Sequence, residues 1–386
     1  MQRFFEMNYL IIFDSWDNIF AGLFAVTILI QLIYYLFVYL RVAIRKDKQD
    51  FSLDNETQPV SVIICARNED GNLAENLAVI LEQDYPLFEV IVVNDCSEDS
   101  TEQMLAEFKK KYPHLRSTII KKDGSFLNFR KFATTVGIKA AKYEWLLFTY
   151  ADCRPESKNW ISSMSKYFVE NKDIVLGYCG YQANTGFFNK FMHYDAFFSA
   201  FQHLSFAIIG KPYSGNGRNL AYRKSLFFAH SGFALHAHVV SDDDGLFVNK
   251  AAKKRKVAIV TDDESLTRAN VNRTFKEWMW QKSKQIASAG FYSAGQSIIL
   301  TLEPASRIFM WLLFVLLTVV SPIWCYALAL LALRQIVFVT IIRAACKKFK
   351  ERGILSCSVL FDFIMPFVHL YLFLLNKISK KYSKWN

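Results

Sequence analysis

Residues 19–40, IFAGLFAVTILIQLIYYLFVYL, carry no charged side chain. An apolar run of about 20 residues is long enough to cross a bilayer as a helix. RVAIRKDK follows at once and places that end of the run in the cytosol. A cleaved leader would have a shorter core, an earlier basic region and a small-residue cleavage site, so the segment reads as an anchor. Residues 1–45 are taken as this anchor and 46–58 as a polar linker.

The remaining composition fits a mixed architecture. Hydrophobic residues make up 52% of the 386, with 35 phenylalanines. That is high for a soluble protein and low for a channel of many spans. The net charge of +11 is explained by lysines and arginines beside the apolar segments. It also suits contact with anionic lipids or substrate phosphates. No long basic tract or base-reading motif points to nucleic acid. The seven cysteines are dispersed, with no C-x-x-C pair, and read as reduced thiols facing the cytosol.

From residue 59 to about 270 apolar strands alternate with amphipathic helices. VSVIICA, EVIVVN, STIIKK and WLLFTY are the strands; 72–83, SEDSTEQMLAEFKKKY and RKFATTVGIKAAK are the helices. Such alternation means a mostly parallel sheet covered on both faces. Ligands bind beyond the carboxyl ends of such strands. Arg67 to Asp70, Asp95 and Asp152 all fall at these ends, so they are expected to converge. Beyond them come a strand-like VLGYCGYQ, an apolar helix near 187–209, the glycine-rich YSGNGRNLAY and a last strand KVAIV at 256–260.

The C-terminal third returns to the membrane. RTFKEWMWQKSKQIASAG, 273–290, is amphipathic, rich in Trp and Lys, and reads as an interfacial helix within a region 271–300. Residues 301–386 follow as a membrane region. Within it 306–343 reads as a helical hairpin turning at Ser321-Pro322. Residues 354–375 are long enough to span, but Asp362, Pro366 and His369 interrupt them and KISKKYSK follows. Spanning would put those lysines outside, so the segment either spans against the positive-inside rule, lies in the interface or is re-entrant.

Three acidic clusters carry the candidate chemistry. Asp95 can accept a hydrogen bond from a base or ribose, or can simply make a turn. Asp152 is an oxygen ligand suited to Mg²⁺ or Mn²⁺ beside a diphosphate, and Lys131 would add a second positive contact. Asp243 sits in three consecutive aspartates, whose mutual repulsion should raise at least one pKa and favour a general base. The plainer reading is a helix cap, a role left to Asp242 or Asp244. Gln281 and Lys284 share one helix face, with Lys284 either binding diphosphate or resting at headgroup level. His236 and His238 lack further ligand spacing and are read as structural.

These residues resemble the membrane-anchored, family 2 inverting glycosyltransferases of GT-A fold, over 61–285. VSVIICARNE and VIVVNDCSEDST look like the nucleotide-binding opening, which implies nucleoside contacts at Ala66, Arg67, Glu69 and Asp95. RKFATTVGIKAAKYEWLLFTYADCRP is similar to the segment with the phosphate-binding lysine, Lys131, and the D-x-D metal motif ending at Asp152. GNGRNLAYRKSLF resembles the acceptor-side loop, with Asn219. SDDDGLF resembles the E-D-x-x-L pattern, and its spacing to Leu246 assigns the base to Asp243, with Asp242 beside it. QKSKQ stands where membrane members have Q-x-x-R-W.

Four positions depart from that pattern: Tyr150 for the first Asp of D-x-D, Asp242 for Glu, Lys284 for Arg and Gln285 for Trp. The resemblance implies an α/β GT-A catalytic domain in the cytoplasm and a divalent metal, Mg²⁺ or Mn²⁺. It also implies a UDP- or GDP-sugar donor and a lipid-linked or glycan acceptor in the cell membrane. The alternatives are a processive polysaccharide synthase, which Gln285 and the few spans argue against, and a non-catalytic member that binds nucleotide or lipid.

Overall fold

A computed structural model describes residues 2–46, 57–120, 129–234, 243–253, 256–270, 274–322 and 324–379. Helix α1 (Gln2–Ile33) runs through a π-helical stretch, Tyr34–Tyr39, into α2 (Leu40–Ala43). The expected alternation follows: β1 (Val60–Ala66), α3 (Asp70–Leu81), β2 (Phe88–Asp95), α4 (Thr101–Lys111), β3 (Leu115–Ile120), α5 (Phe129–Ala140) and β4 (Trp145–Tyr150). Then come β5 (Cys153–Pro155), α6 (Trp160–Ser165), β6 (Ile174–Leu176), β7 (Cys179–Tyr181), α7 (Phe187–Ile208), β8 (Leu220–Arg223) and α8 (Lys224–Ala229). The domain closes with α9 (Asp243–Ala251), β9 (Val257–Ile259) and β10 (Thr267–Ala269).

Seven strands form one sheet in the order β3-β2-β1-β4-β8-β6-β9. Only β8 runs against its neighbours; the other pairs are parallel. Both faces are covered, so these strands are apolar almost throughout rather than alternating. Trp145 and Phe168 stack beneath it with centroids 4.3 Å apart. Register brings the carboxyl ends together, pairing Ala66 with Asn94 and Cys65 with Tyr150. Arg67, Asp95 and Asp152 therefore leave one edge.

The run VLGYCGYQ is two strands, not one. β6 belongs to the large sheet and β7 to a small sheet ordered β5-β10-β7. Gly177 lies between them, and a Cβ there would collide with the Asn219 side chain. The chain changes sheets at that glycine because only hydrogen fits.

A helix, α10 (Phe275–Ser288), occupies the stretch read as interfacial and is opened by a reciprocal Thr274–Glu277 capping box. After it come α11 (Ala294–Val320), α12 (Trp324–Lys348) and α13 (Ser358–Ser379). Four helices, one near the N-terminus and three at the C-terminal end, are long and apolar enough to cross a membrane. α11 begins earlier than the expected hairpin at 306, opened by a reciprocal Ser293–Gln296 capping box, and its Arg307 pairs with Glu303 one turn away. Arg334 of α12, fully buried, donates to both oxygens of Asp362 in α13 and to Gln31 and Tyr35 in the first helix. Arg307 reaches Asp362 at 3.3 Å. Two arginines and two carboxylates thus make a neutral buried network joining all four helices.

The far ends of α1, α11 and α12 pack on one another through Phe24, Ile28, Met310, Leu317, Ala327 and Leu331, and Trp311 beside them meets Phe363 of α13. α13 behaves differently. Its start, Phe361, packs on Phe187 and Phe191 of α7. Its middle, His369, meets Asp195 of α7 at 3.1 Å, and Asn376 near its end donates to Ser283 of α10 at 2.9 Å.

Candidate active site

The loops after β1 and β2 are laced together by backbone N–H groups and short side chains. Ser97 Oγ accepts from Asn68 N, Asn68 Oδ1 from Glu98 N, Thr101 Oγ1 from Glu69 N and an Asp99 oxygen from Asp70 N. Asn68 and Cys96 take φ near +55°, which turns both loops sharply at the strand ends. This holds Arg67 (exposed), Glu69 (half-buried) and the buried Ala66 and Asp95 beside one another. Burial raises the Asp95 pKa while Arg67 opposes it. Its buried Oδ1 has no hydrogen-bond partner among the described residues. A buried carboxylate oxygen left unpaired is costly, and a ligand N–H or O–H would satisfy it.

Next along the edge, Asp152 is bridged by Arg218. Nη2 lies 2.6 Å from Oδ2 and Nε 3.4 Å from Oδ1. The guanidinium is 4.9 Å from the Tyr150 ring centre, and that of Arg130 is 4.1 Å away. The Tyr150 hydroxyl donates to Asp244 at 2.6 Å, and Arg130 reaches the same oxygen at 3.3 Å. Gly217 allows this approach: a Cβ there would strike the Asp244 carboxylate.

Asp243 opens α9, and its carboxylate is 3.1 Å from Lys131 Nζ, both nearly buried. Its pKa is raised, chiefly by burial, with Lys131 and Arg130 opposing. The repulsion expected from the aspartate run is present through Asp244 but is a lesser cause. Asp244 is likewise raised by burial. Asp242, His236 and His238 lie outside the described residues.

A cleft of about 210 Å³ joins these groups to α10. Arg130, Tyr150, Arg218 and Asp243 line one side; Trp278, Gln281, Lys284 and Gln285 line the other. Lys284 lies 3.3 Å from the Trp280 ring centre. Asp195 is buried at the cleft base, held by Lys282 at 2.7 Å, Trp278 at 3.1 Å and His369.

The sequence expectations meet this geometry unevenly. Asp243, Gln281 and Lys284 face the cleft, and Asp152 adjoins it through Arg218. Lys131, expected on phosphate, is seated on Asp243. Asn219, expected on the acceptor side, turns inward: it accepts from Trp160 at 3.1 Å and donates to the Tyr178 and Ser265 carbonyls at 2.9 and 2.7 Å. It ties β8 to the small sheet rather than facing the cleft. Arg130 and Arg218 went unassigned, although Arg130 adjoins Lys131 and Arg218 adjoins Asn219; Tyr150 was read only as a departure from D-x-D, and Asp244 only as a possible helix cap.

No group of three or more His, Cys, Asp or Glu suited to a metal occurs among the described residues. Asp152 alone is one oxygen donor. That donor set fits a hard divalent cation when a diphosphate supplies most of the other ligands, as Mg²⁺ sites on phosphates do.

A cleft at the strand ends of a GT-A sheet, with a buried carboxylate facing several cations, is what a nucleotide-sugar enzyme requires. Residues 61–242 match the model of Glycosyl transferase family 2. A poly-beta-1,6-N-acetyl-D-glucosamine synthase of Staphylococcus epidermidis is 27% identical over 129 residues, 31% of this chain and 28% of its own length. Glycosyltransferase AglE of Haloferax volcanii is 32% identical over 121 residues, 31% of this chain and 38% of its own. The chain thus spans well under half the length of these relatives. A solved mannosyltransferase from Pyrobaculum calidifontis, in complex with GDP-Man and Mn²⁺, covers 90% of this chain and 99% of its own with TM-score 0.58. At 17% identity that likeness establishes the GT-A fold alone.

Proposed function

We propose that the chain is a membrane-bound inverting glycosyltransferase that moves a sugar from a UDP- or GDP-sugar to a lipid-linked or glycan acceptor. The observation carrying this reading is Asp243, buried with a raised pKa, in a cleft that Arg130, Arg218 and Lys284 also line. Ala66, Arg67, Glu69 and Asp95 would hold the nucleoside, whose N–H or O–H groups supply the partner that Asp95 Oδ1 lacks.

Asp243 takes the proton from the acceptor hydroxyl. The oxygen attacks the anomeric carbon, a new C–O bond forms, and the bond to the diphosphate oxygen breaks on the opposite face. A single displacement of this kind inverts the anomeric centre. Arg130, Arg218 and Lys284 offset the charge that develops on the leaving diphosphate. Asp152 would hold a Mg²⁺ or Mn²⁺ ion, which when bound adds Lewis-acid stabilisation of the same charge. Gln281 would position the donor or acceptor from the interfacial side, and Asn219 contributes from behind the wall.

The proposed location is the cell membrane, with the catalytic domain cytoplasmic. α1 with α2, α11 and α12 would cross. α13 would lie in the interface, because its start, middle and end all touch α7 or α10. A crossing helix would carry one end about 30 Å away. This arrangement keeps the C-terminal lysines cytosolic and satisfies the positive-inside bias. Protein reconstituted in lipid, offered UDP- and GDP-sugars and lipid-linked acceptors, should release nucleoside diphosphate with acceptor-dependent rate. Absence of release across the panel would overturn the reading.

A further inference from the structure

Arg218 is an arginine in a place where the chemistry calls for a cation only part of the time. It is almost fully buried, and its backbone is pinned on both sides: its carbonyl accepts from Thr149 of β4 at 3.2 Å and Thr267 of β10 at 3.3 Å. The fork grips Asp152 through both nitrogens it directs there. The same guanidinium lines the cleft and lies over the rings of Tyr150 and Tyr181, at 4.9 and 5.8 Å.

The charge of the neighbourhood follows from Tyr150. Where a second carboxylate would flank Asp152, an uncharged ring stands, and its hydroxyl is given to Asp244. Asp152 is therefore gripped by Arg218 before any ligand arrives. Arg130 stacks on the same Tyr150 ring and shares Asp244. A divalent cation approaching alone would have to displace the Arg218 fork to reach this one carboxylate. A nucleoside diphosphate reverses the balance. Its oxygens offer Arg218 a bidentate partner as good as the carboxylate, and they bring anionic ligands for the cation.

We propose that Arg218 is an exchange residue: it holds Asp152 closed to a free divalent cation and passes to the donor's diphosphate when that arrives, so that the cation binds tightly only once the nucleotide is present. This rests on the donor reading above. Arg218 would thus do two opposed things. It suppresses binding of the metal alone and promotes binding of the diphosphate.

The test uses the full chain in detergent or nanodiscs. Free Mn²⁺ is counted by electron paramagnetic resonance, and UDP and GDP are titrated calorimetrically with EDTA and with Mn²⁺. A charge-assisted hydrogen bond is worth enough to move affinity about tenfold or more. Wild type should bind Mn²⁺ alone weakly and should bind one of the nucleotides with Mn²⁺ present. Arg218→Gln should bind Mn²⁺ alone about tenfold tighter and that nucleotide in EDTA about tenfold weaker. Arg218→Lys, which keeps the charge without the fork, should fall between, and adding Asp152→Asn should erase the gain in Mn²⁺. A merely structural arginine would give losses in both titrations, and that result overturns the proposal. So does wild type binding Mn²⁺ alone as tightly as Arg218→Gln, or nucleotide affinity that Arg218→Gln leaves unchanged. If neither UDP nor GDP binds wild type under any condition, the donor reading itself has failed and the exchange falls with it.

Discussion

Asp243 holds its proton more firmly than an ordinary aspartate because it is buried, and Lys131 is the strongest force the other way. A base works only when deprotonated. Turnover should therefore fall on the acid side at a pH above the usual aspartate value of about 3.9. Lys131→Met removes the opposing charge, so the Asp243 pKa rises further and the acid limb of kcat moves to higher pH. An acid limb that stays in place in that variant would remove Lys131 from this role. At this scale the sequence was informative where a residue ends an apolar strand. Asp95 and Asp152 are legible because the strands EVIVVN and WLLFT fix where they emerge. Arg218 and Arg130 were not, because their partners come from residues far away in the chain: Asp152 for one, Asp244 for the other. Asn219 was misleading for the same reason, since its loop position says nothing of which way the amide turns.

Among the elements, α7, α10 and α13 meet at Asp195. Burial opposes its charge, but Lys282 and His369 outweigh burial and hold its pKa below the ordinary range. Breaking a buried pair strands the other charge. Asp195→Ala leaves Lys282 without this partner and should cost about 3–5 kcal/mol in denaturant unfolding of the detergent-solubilised protein. A loss under about 1 kcal/mol would mean the cluster is more hydrated than its burial indicates. The helices were legible where amphipathic periodicity is long and uninterrupted, as in α4 and α10. The small sheet was not: β5 and β10 are too short to show a period, β7 was merged with β6, and the sheet exists only because distant segments meet. The start of α11 was hidden by Glu303 and Arg307, whose charges read as an interruption until their pairing within the helix is seen.

For the molecule as a whole, the membrane layout makes a direct prediction. Cys325 is exposed beside the α11–α12 turn, at the end of the bundle away from the catalytic domain. A membrane-impermeant maleimide applied to intact cells should label it. In a Cys325→Ser background, a cysteine placed at the exposed Ile378 near the end of α13 should label only once the cytoplasmic face is opened. Labelling of Ile378→Cys from outside would make α13 a fourth crossing helix. Composition alone did not decide this, since α13 is as apolar as a spanning helix and only its contacts with α7 and α10 distinguish it.

The central claim is that one buried carboxylate in this cleft is the base for sugar transfer. The measurement that meets it most directly compares wild type with Asp243→Asn in lipid, recording nucleotide affinity and acceptor-dependent release of nucleoside diphosphate side by side. Loss of a general base lowers rate by about 10²–10⁴. The account predicts a fall of that size in release, with nucleotide affinity within a few-fold of wild type. Turnover by Asp243→Asn at the wild-type rate would contradict it.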